Sequence, residues 1–340
     1  MSAQPKKKKG IPFLDSEDLT WISRLRKFHF FIGPTAKTLP TKLEERSVRI
    51  TDLELSQKQI VWFLINATSV LISGCWELNK LLENFIKDRV HCVSGLKSLT
   101  ISSCVAGSRP RTFPHPLSMS GSQKKLPVAQ CDLLPNLEEL HLHHLMHLKS
   151  ISELAGHLGL KFSRLRILEV THCAQIDHVL PYGDSMINTE MLEVIKIGFC
   201  DNLEEIFRYV PGQREAPFSV LPNLHIVELK YLQSLKTICK QEDSLQSLEQ
   251  LEVINCGALR TLPLTDHNAN TIKEIKGGIF WWNNLEWDNY NTKVCVQHFF
   301  KPASGDIRPE TWRWFRTDPN VNSWMPTTLP TIRQGPLQYI

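Results

Sequence analysis

The sequence predicts an α/β repeat solenoid, and three observations support this fold class. One pattern of aliphatic residues returns five times between residues 134 and 262, its centre alternates as a short strand does, and cysteines recur at one position within it. The pattern is L-x-x-L-x-L-x-x-(L/C)-x-x-L-x-x-(L/I/V), where L stands for any aliphatic residue. Its five copies start at Leu137, Leu165, Leu192, Leu224 and Leu248.

Each copy predicts one structural unit. In the first copy, Leu140 and Leu142 are expected to point into the core and His141 between them to point outward. One unit cannot bury its apolar face alone, so neighbouring units must stack. The copies start roughly 24 to 32 residues apart, close to the usual period of about 20–29 residues for leucine-rich repeats. We therefore expect a leucine-rich-repeat horseshoe with a parallel concave β-sheet and an irregular or short-helical convex side.

The repeat domain is predicted to span residues 21–293. Residues 1–20 are expected to be a flexible basic lead-in, and residues 105–131, which are rich in Pro, Ser and Gly, an insertion loop between repeats. Weaker copies of the pattern start at Leu25, Glu45, Ala67 and Leu96.

The C-terminal end of the repeats is predicted to be a cap over residues 272–293. This segment contains Trp281, Trp282 and Trp287, and the last repeat of a solenoid must cover its open core. A ligand cage built from the same tryptophans is the alternative. Residues 294–340 show no copy of the pattern and are left as an unassigned tail, compatible with disorder.

Cysteine usage fits the repeat core better than a metal or disulfide framework. Free cysteine packs as a small buried apolar residue, and the chain contains no C-x-x-C pair. Reduced cysteines are also typical of the cytosol. Five of the nine cysteines fall on the ninth position of the pattern: Cys75, Cys104, Cys173, Cys200 and Cys256.

Charge and hydropathy exclude several classes of partner. The net charge of +4 is small for 340 residues, so a nucleic-acid-binding protein is not indicated. The uncharged run Ile60–Trp76 is interrupted by polar residues and is shorter than the roughly 20 apolar residues of a spanning helix, so no membrane span is predicted. A cytoplasmic location is expected, and Lys6–Lys9 leaves nuclear import open.

The sequence indicates no enzyme and no cofactor. It contains no phosphate-binding loop, no dinucleotide fingerprint and no nucleophile elbow. The run HLHHLMH places His141 and His143 on the same side of a strand, so a metal pair is geometrically possible. No carboxylate or cysteine follows with ligand spacing, although Glu139 and Glu169 could lie near, so no metal site is predicted. A metal-dependent enzyme at this cluster remains the alternative.

The outward positions of the repeats form candidate protein-binding columns on the concave face. The fifth and eighth positions mix charges with aromatic residues, as protein-recognition surfaces do. Exposure of Phe199 beside Tyr231 is the strongest local indication of a contact patch. The fifth-position column contains His141, Glu169, Lys196, Glu228 and Glu252, and the eighth-position column contains His144, His172, Phe199, Tyr231 and Asn255.

Several runs resemble one known family. The segments LLPNLEELHLHHL, RLRILEVTHC, LEVIKIGFCDNLEEIF and NTIKEIKGGIFWWNNLEWDNYNTK are similar to the C-terminal leucine-rich-repeat region of plant coiled-coil, nucleotide-binding, leucine-rich-repeat disease-resistance proteins. The resemblance covers about residues 19–293, and its Trp-rich ending is the most specific part. No phosphate-loop residues can be carried over, so the resemblance does not imply nucleotide binding by this polypeptide.

The resemblance implies a recognition function for the chain. Repeats of that family sense pathogen effectors, directly or through a guarded host protein, and hold a nucleotide-binding domain inactive. The expected partner is therefore a protein: an effector, a guarded host protein or a nucleotide-binding domain that this chain lacks. A leucine-rich-repeat substrate adaptor of a ubiquitin ligase is the alternative, but it requires an F-box-like helical segment that residues 1–24 are too short to supply.

Overall fold

The computed structural model describes most of the predicted repeat domain. The lead-in 1–20, the insertion 105–131 and residues 304–340 of the tail lie outside the described residues. The described ranges are 21–33, 45–55, 59–76, 92–104, 132–158, 160–182, 189–209, 221–240 and 245–303.

Among the described residues, the regular elements are mostly short strands, as the alternating centre of the repeat pattern predicts. The strands are β1 Phe28–Ile32, β2 Arg46–Thr51, β3 Ser69–Ser73, β4 Ser98–Ser102, β5 Glu139–His143, β6 Ile167–Thr171, β7 His178–Tyr182, β8 Val194–Gly198, β9 Glu205–Tyr209, β10 Ile226–Lys230, β11 Gln250–Ile254, β12 Glu274–Gly277 and β13 Phe300–Pro302. The α-helices are α1 Gln59–Asn66, α2 Ile151–Leu158, α3 Ile279–Asn283 and α4 Tyr290–Val296, and 3-10 turns cover Asp266–Asn270 and Gln297–Phe299. None of these helices is long and apolar enough to cross a membrane.

Eleven of the described strands form one parallel sheet. Their order is β1-β2-β3-β4-β5-β6-β8-β10-β11-β12-β13, so each strand pairs with the equivalent strand of the next repeat. The pairing is in register: His141 on β5 lies opposite Glu169 on β6, and Glu169 lies opposite Lys196 on β8. The predicted leucine-rich-repeat solenoid is confirmed.

Aliphatic residues at fixed positions of each repeat form the core. In β11, Leu251 and Val253 face inward and are nearly inaccessible to solvent, as are Leu140 and Leu142 in β5. The predicted cysteine position is also confirmed, since all five ninth-position cysteines are buried. Each of their Sγ atoms lies 3.2–3.5 Å from the carbonyl oxygen two residues earlier. The eight described cysteines are free thiols.

The first repeat has a different register from the predicted one. A start at Leu25 would align Phe28 with Val48, but Phe30 lies opposite Val48 and Ile32 opposite Ile50. The pairing is displaced by two residues. A displacement by an even number keeps the same side chains on the core face, which is why the apolar pattern did not distinguish the two alignments.

The side of the repeats opposite the main sheet is not uniformly irregular or helical. In two consecutive repeats, the segment with turn-or-helix spacing forms strands instead, and β7 and β9 pair in parallel as a second sheet. Helix α2 occupies the equivalent segment of the repeat before them. Val179 and Ile206 on β7 and β9 are buried, so either backbone conformation places an aliphatic residue against the core.

Tryptophans pack near the last strands of the main sheet, β12 and β13. Trp282 is buried and stacks on Phe300 of β13, with 4.5 Å between ring centroids. The indole Nε1 of Trp281 donates to the carbonyl of Leu259 at 3.0 Å. The sheet continues into residues 300–302, within the segment that the sequence left unassigned.

We expect Leu251→Asp to unfold the C-terminal repeats. Leu251 is only 2% exposed and lies between Val227 and Ile275 in the core layer. The change removes about 1.5–3 kcal/mol of apolar burial and adds a charge without a partner. Circular dichroism and thermal melting measure the loss. The exposed neighbour Gln250 provides the control. Gln250→Lys also adds a charge, but it lies opposite Glu274, so this variant should melt no lower than the wild type. An unchanged melting curve for Leu251→Asp would refute the assigned core.

We expect Gly277→Ala to destabilise the C-terminal end by about 1–3 kcal/mol, as overpacking of a filled site does. A Cβ atom at Gly277 would lie 2.6 Å from the ring of Trp281 and 3.0 Å from the carbonyl of Val253. Urea unfolding followed by tryptophan fluorescence measures the change. Gly257→Ala is the matched control, because nothing lies within 4 Å of its added Cβ. Equal stability of the two variants would contradict the packing of Trp281.

Candidate protein-recognition surface

The candidate site residues lie on one side of the main sheet, called here the open face, which is the side opposite the aliphatic core. The five fifth-position residues are direct neighbours on adjacent strands, in the order His141, Glu169, Lys196, Glu228 and Glu252. Since the strands pair in register, residues far apart in sequence form one continuous row. The eighth-position residues follow directly after the strands, at the edge of this face.

Every residue of the eighth-position column has a left-handed backbone. The φ angle is 53° at His144, 54° at His172, 57° at Phe199, 56° at Tyr231 and 53° at Asn255. The backbone N–H of the first four donates to a carbonyl at the end of the next strand, at 2.8–3.0 Å. The chain therefore turns away from the sheet at this position while the hydrogen bonding between repeats continues for one more residue.

Four rings of this column stack on one another, and we call them the ring ladder: His144, His172, Phe199 and Tyr231. The ring centroids of His144 and His172 are 4.3 Å apart, and the next two pairs are each 4.6 Å apart. The angles between ring planes are 21°, 13° and 10°. The ladder thus forms a flat-sided aromatic strip that crosses four repeats.

The expected exposure of Phe199 is only partial. Phe199 and Tyr231 are both half-buried, because each ring covers a face of its neighbour. The exposed Asn255 lies beyond Tyr231 in the next repeat. The accessible part of the ladder is therefore a row of ring edges rather than isolated aromatic side chains.

Residue type makes Phe199 and Tyr231 unusual at this position. Earlier repeats place Asp52, Gly74 and Ser103 there, and Asp and Gly tolerate a left-handed backbone. A bulky residue in that conformation costs about 1–2 kcal/mol. Stacking of aromatic pairs contributes about 0.5–1.5 kcal/mol and offsets part of this cost. Backbone strain that persists in this way is concentrated at functional sites.

A second feature of the open face is a cluster of His141, His143 and Glu169, called here the His–Glu cluster. Strand β5 supplies both histidines and β6 supplies the carboxylate. Nδ1 of His141 is 3.1 Å from Oε2 of Glu169, and Nε2 of His143 is 3.4 Å from Oε1. Glu169 is 5% exposed and contacts both histidines, so this candidate contact residue is buried rather than open to a partner.

The two histidines of the cluster have opposite pKa shifts. Burial acts to lower the pKa of His141, but hydrogen bonds with Glu139 and Glu169 raise it to about 9. Burial, together with the charges of His141, His144 and His172, lowers the pKa of His143 to about 3. Near neutral pH, His141 is therefore the cation that balances Glu169, and His143 is a neutral imidazole.

The remaining candidates belong to a ladder of alternating charges, here the charge ladder: Lys196, Glu228, Lys230, Glu252 and Lys276. Nζ of Lys196 lies 2.6 Å from Glu228, and Nζ of Lys230 lies between Glu228 and Glu252, at 3.2 and 2.5 Å. Nζ of Lys276 lies 2.8 Å from Glu252. The predicted charges are thus neutralised within the face instead of forming a patch of one sign.

The sequence analysis predicted the fifth-position and eighth-position columns but did not identify two lysines that pair with their glutamates. Lys230 occupies the seventh position, which faces outward, and bridges two predicted glutamates while being 8% exposed. Lys276 lies opposite Glu252 and extends the fifth-position row into β12. The available signal was a lysine at an outward position beside these glutamates: Lys230 two residues after Glu228, and Lys276 opposite Glu252.

We expect Phe199→Val to be less stable than Phe199→Asn by about 1 kcal/mol. Both changes remove the stacked ring, but only valine adds a β-branched side chain at φ 57°, whereas asparagine adopts this conformation readily. Urea unfolding of the two variants measures the difference.

Lys196 provides the control for this prediction. It lies in strand β8, where a β-branched residue is favoured, so Lys196→Val should be more stable than Lys196→Asn. The same order at both positions would contradict the left-handed backbone at Phe199.

Comparison with known proteins agrees with this architecture. Residues 136–266 match the family described as plant disease resistance protein RPS2-like, leucine-rich repeats. Disease resistance protein At4g27190 of Arabidopsis thaliana is 35% identical over 292 residues, which are 86% of this chain and 28% of that protein. Probable disease resistance protein At4g27220 of the same plant is 34% identical over 255 residues, which are 74% of this chain and 26% of that protein.

The chain thus spans about a quarter of the length of these curated relatives. The matched residues 136–266 contain the five copies of the repeat pattern, and the described strands follow the same period. The repeats of this chain belong to the leucine-rich-repeat region of plant disease-resistance proteins.

Proposed function

We propose that these repeats recognise a protein through the open face, with the ring ladder as the principal contact. The bound protein is a pathogen effector, a guarded host protein or the nucleotide-binding domain of a resistance protein. In this proposal the chain is a non-enzymatic, cytoplasmic module that senses effectors or regulates a nucleotide-binding switch. The two curated relatives are named as disease resistance proteins, which supports a role in defence.

The ring ladder is the single observation that carries the proposal. Aromatic side chains are enriched in protein interfaces because they bury much apolar area at a low cost in conformational entropy. Stacking and the left-handed backbone already fix the rings of Phe199 and Tyr231. A partner that binds their edges therefore orders few additional groups, and preorganisation of this kind increases affinity.

The charge ladder beside the rings supplies specificity in this proposal. Its lysines and glutamates are paired with one another, so a neutral partner surface gains little by displacing them. A partner whose charges lie opposite charges of the other sign on the ladder can form ion pairs with it. A partner with a different spacing of charges places like charges together, which disfavours binding. The rings then contribute affinity and the neighbouring charges select the partner.

The test is an affinity pull-down from plant tissue with the wild type and a Phe199→Asn/Tyr231→Asn variant. Asparagine removes the rings but suits the left-handed backbone, as Asn255 does in the next repeat. We expect the wild type to retain a nucleotide-binding receptor fragment or another defence protein, identified by mass spectrometry, and the variant to lose at least about tenfold of it. Such a loss corresponds to about 1.4 kcal/mol, which is modest for a contact hot spot.

A Met146→Asn/Met191→Asn variant is the control. These methionines are 51% and 44% exposed and lie outside the ring ladder, so their replacement removes apolar surface without touching the proposed contact. Equal recovery by the ladder variant and the wild type would place recognition elsewhere. Recovery of ubiquitin-ligase subunits instead would favour the substrate-adaptor function.

A further inference from the structure

The His–Glu cluster has the composition and spacing of a metal site. One ligand atom from each of His141, His143 and Glu169 lies within 4.8 Å of the other two. Two imidazole nitrogens and one carboxylate oxygen form the donor set of three-ligand zinc sites that keep a fourth position open. Neighbouring strands hold all three residues, so the backbone that carries the donors is rigid.

The separations between the Glu169 carboxylate and the two imidazoles are close to those between ligands of one ion. Zinc lies about 2.0–2.2 Å from nitrogen and oxygen ligands, so two ligands of a tetrahedral site are roughly 3.3–3.6 Å apart. The separations from Glu169 are 3.1 Å to Nδ1 of His141 and 3.4 Å to Nε2 of His143. Replacement of these hydrogen bonds by metal–ligand bonds requires side-chain rotation and the release of one proton from His141 to solvent, because a ligating imidazole is neutral.

A neighbouring hydroxyl group orients one of the ligands. Nδ1 of His143 lies 2.7 Å from Oγ1 of Thr171, which leaves Nε2 directed toward Glu169. Thr171 is 2% exposed, so water does not compete for this contact. Hydrogen bonds to the remote nitrogen of a ligating histidine fix its orientation in metal sites.

We propose that His141, His143 and Glu169 bind one zinc-class divalent ion on the open face. The three side chains supply three of four tetrahedral positions, and water occupies the fourth. The inference does not depend on protein recognition by the ring ladder. The carboxylate was not identifiable as a ligand from spacing along the chain, because it comes from the next repeat.

The test is a titration of the 340-residue chain with Co2+, which reports tetrahedral coordination by its visible absorption, followed by competition with Zn2+. We expect one Co2+ per chain, displaced by one equivalent of Zn2+. Glu169→Gln and His141→Ala should each weaken binding by at least about tenfold, since even changes beyond the direct ligands cost roughly 10–100-fold. Thr171→Val should weaken it by about tenfold while leaving all three ligands present.

His147→Ala is the matched control, because this histidine is exposed and lies on the same repeat outside the cluster. Thermal melting confirms that each compared variant is folded, and the half-buried His141 gives the variant least dependent on core packing. Absence of the Co2+ absorption band at millimolar Co2+ would overturn the proposal. So would an equal loss of affinity in His147→Ala and His141→Ala, which would show that scattered surface histidines bind the ion.

Discussion

The parallel pairing of equivalent strands is the constraint on which the rest of the structure depends. Most strands of the main sheet bury two aliphatic side chains, such as Val227 and Leu229 in β10, and these lie level with their equivalents on both sides. A slip by one residue would expose the entire apolar set and bury the charged one. Core burial therefore sets the register, and the register decides which outward residues become neighbours.

The ring ladder follows from this alignment. His172 and Phe199 are separated by a whole repeat in sequence, yet their rings lie 4.6 Å apart because both follow strands that pair in register. The left-handed backbone at the same position gives every ring the same direction. The left-handed turn costs free energy in each repeat. Because it occurs at the same position every time, it aligns the rings into one surface that crosses several repeats.

Electrostatics on the open face follow the same rule. Equivalent positions lie about 4.8 Å apart across the sheet, so charges of one sign in adjacent repeats would repel each other. Opposite charges pair along the face: His141 with Glu169, Lys196 with Glu228, and Lys276 with Glu252. Glu228 and Glu252 are direct neighbours, and Nζ of Lys230 lies between their carboxylates. The paired charges stabilise the stack, and the half-buried rings beside them provide apolar contact area without a large exposed patch.

The sequence by itself determined the repeat, the core positions, the cysteine position and the membership of both outward columns. These depend on alternation along a strand, which a period in the sequence records directly. Tertiary structure alone decided the displaced register of β1, the second sheet of β7 and β9, the partial burial of Phe199 and the burial of Glu169 beside His141. Each of these features depends on contacts with a neighbouring repeat. Packing between repeats sets the distance and orientation of that neighbour, and the local sequence does not record them.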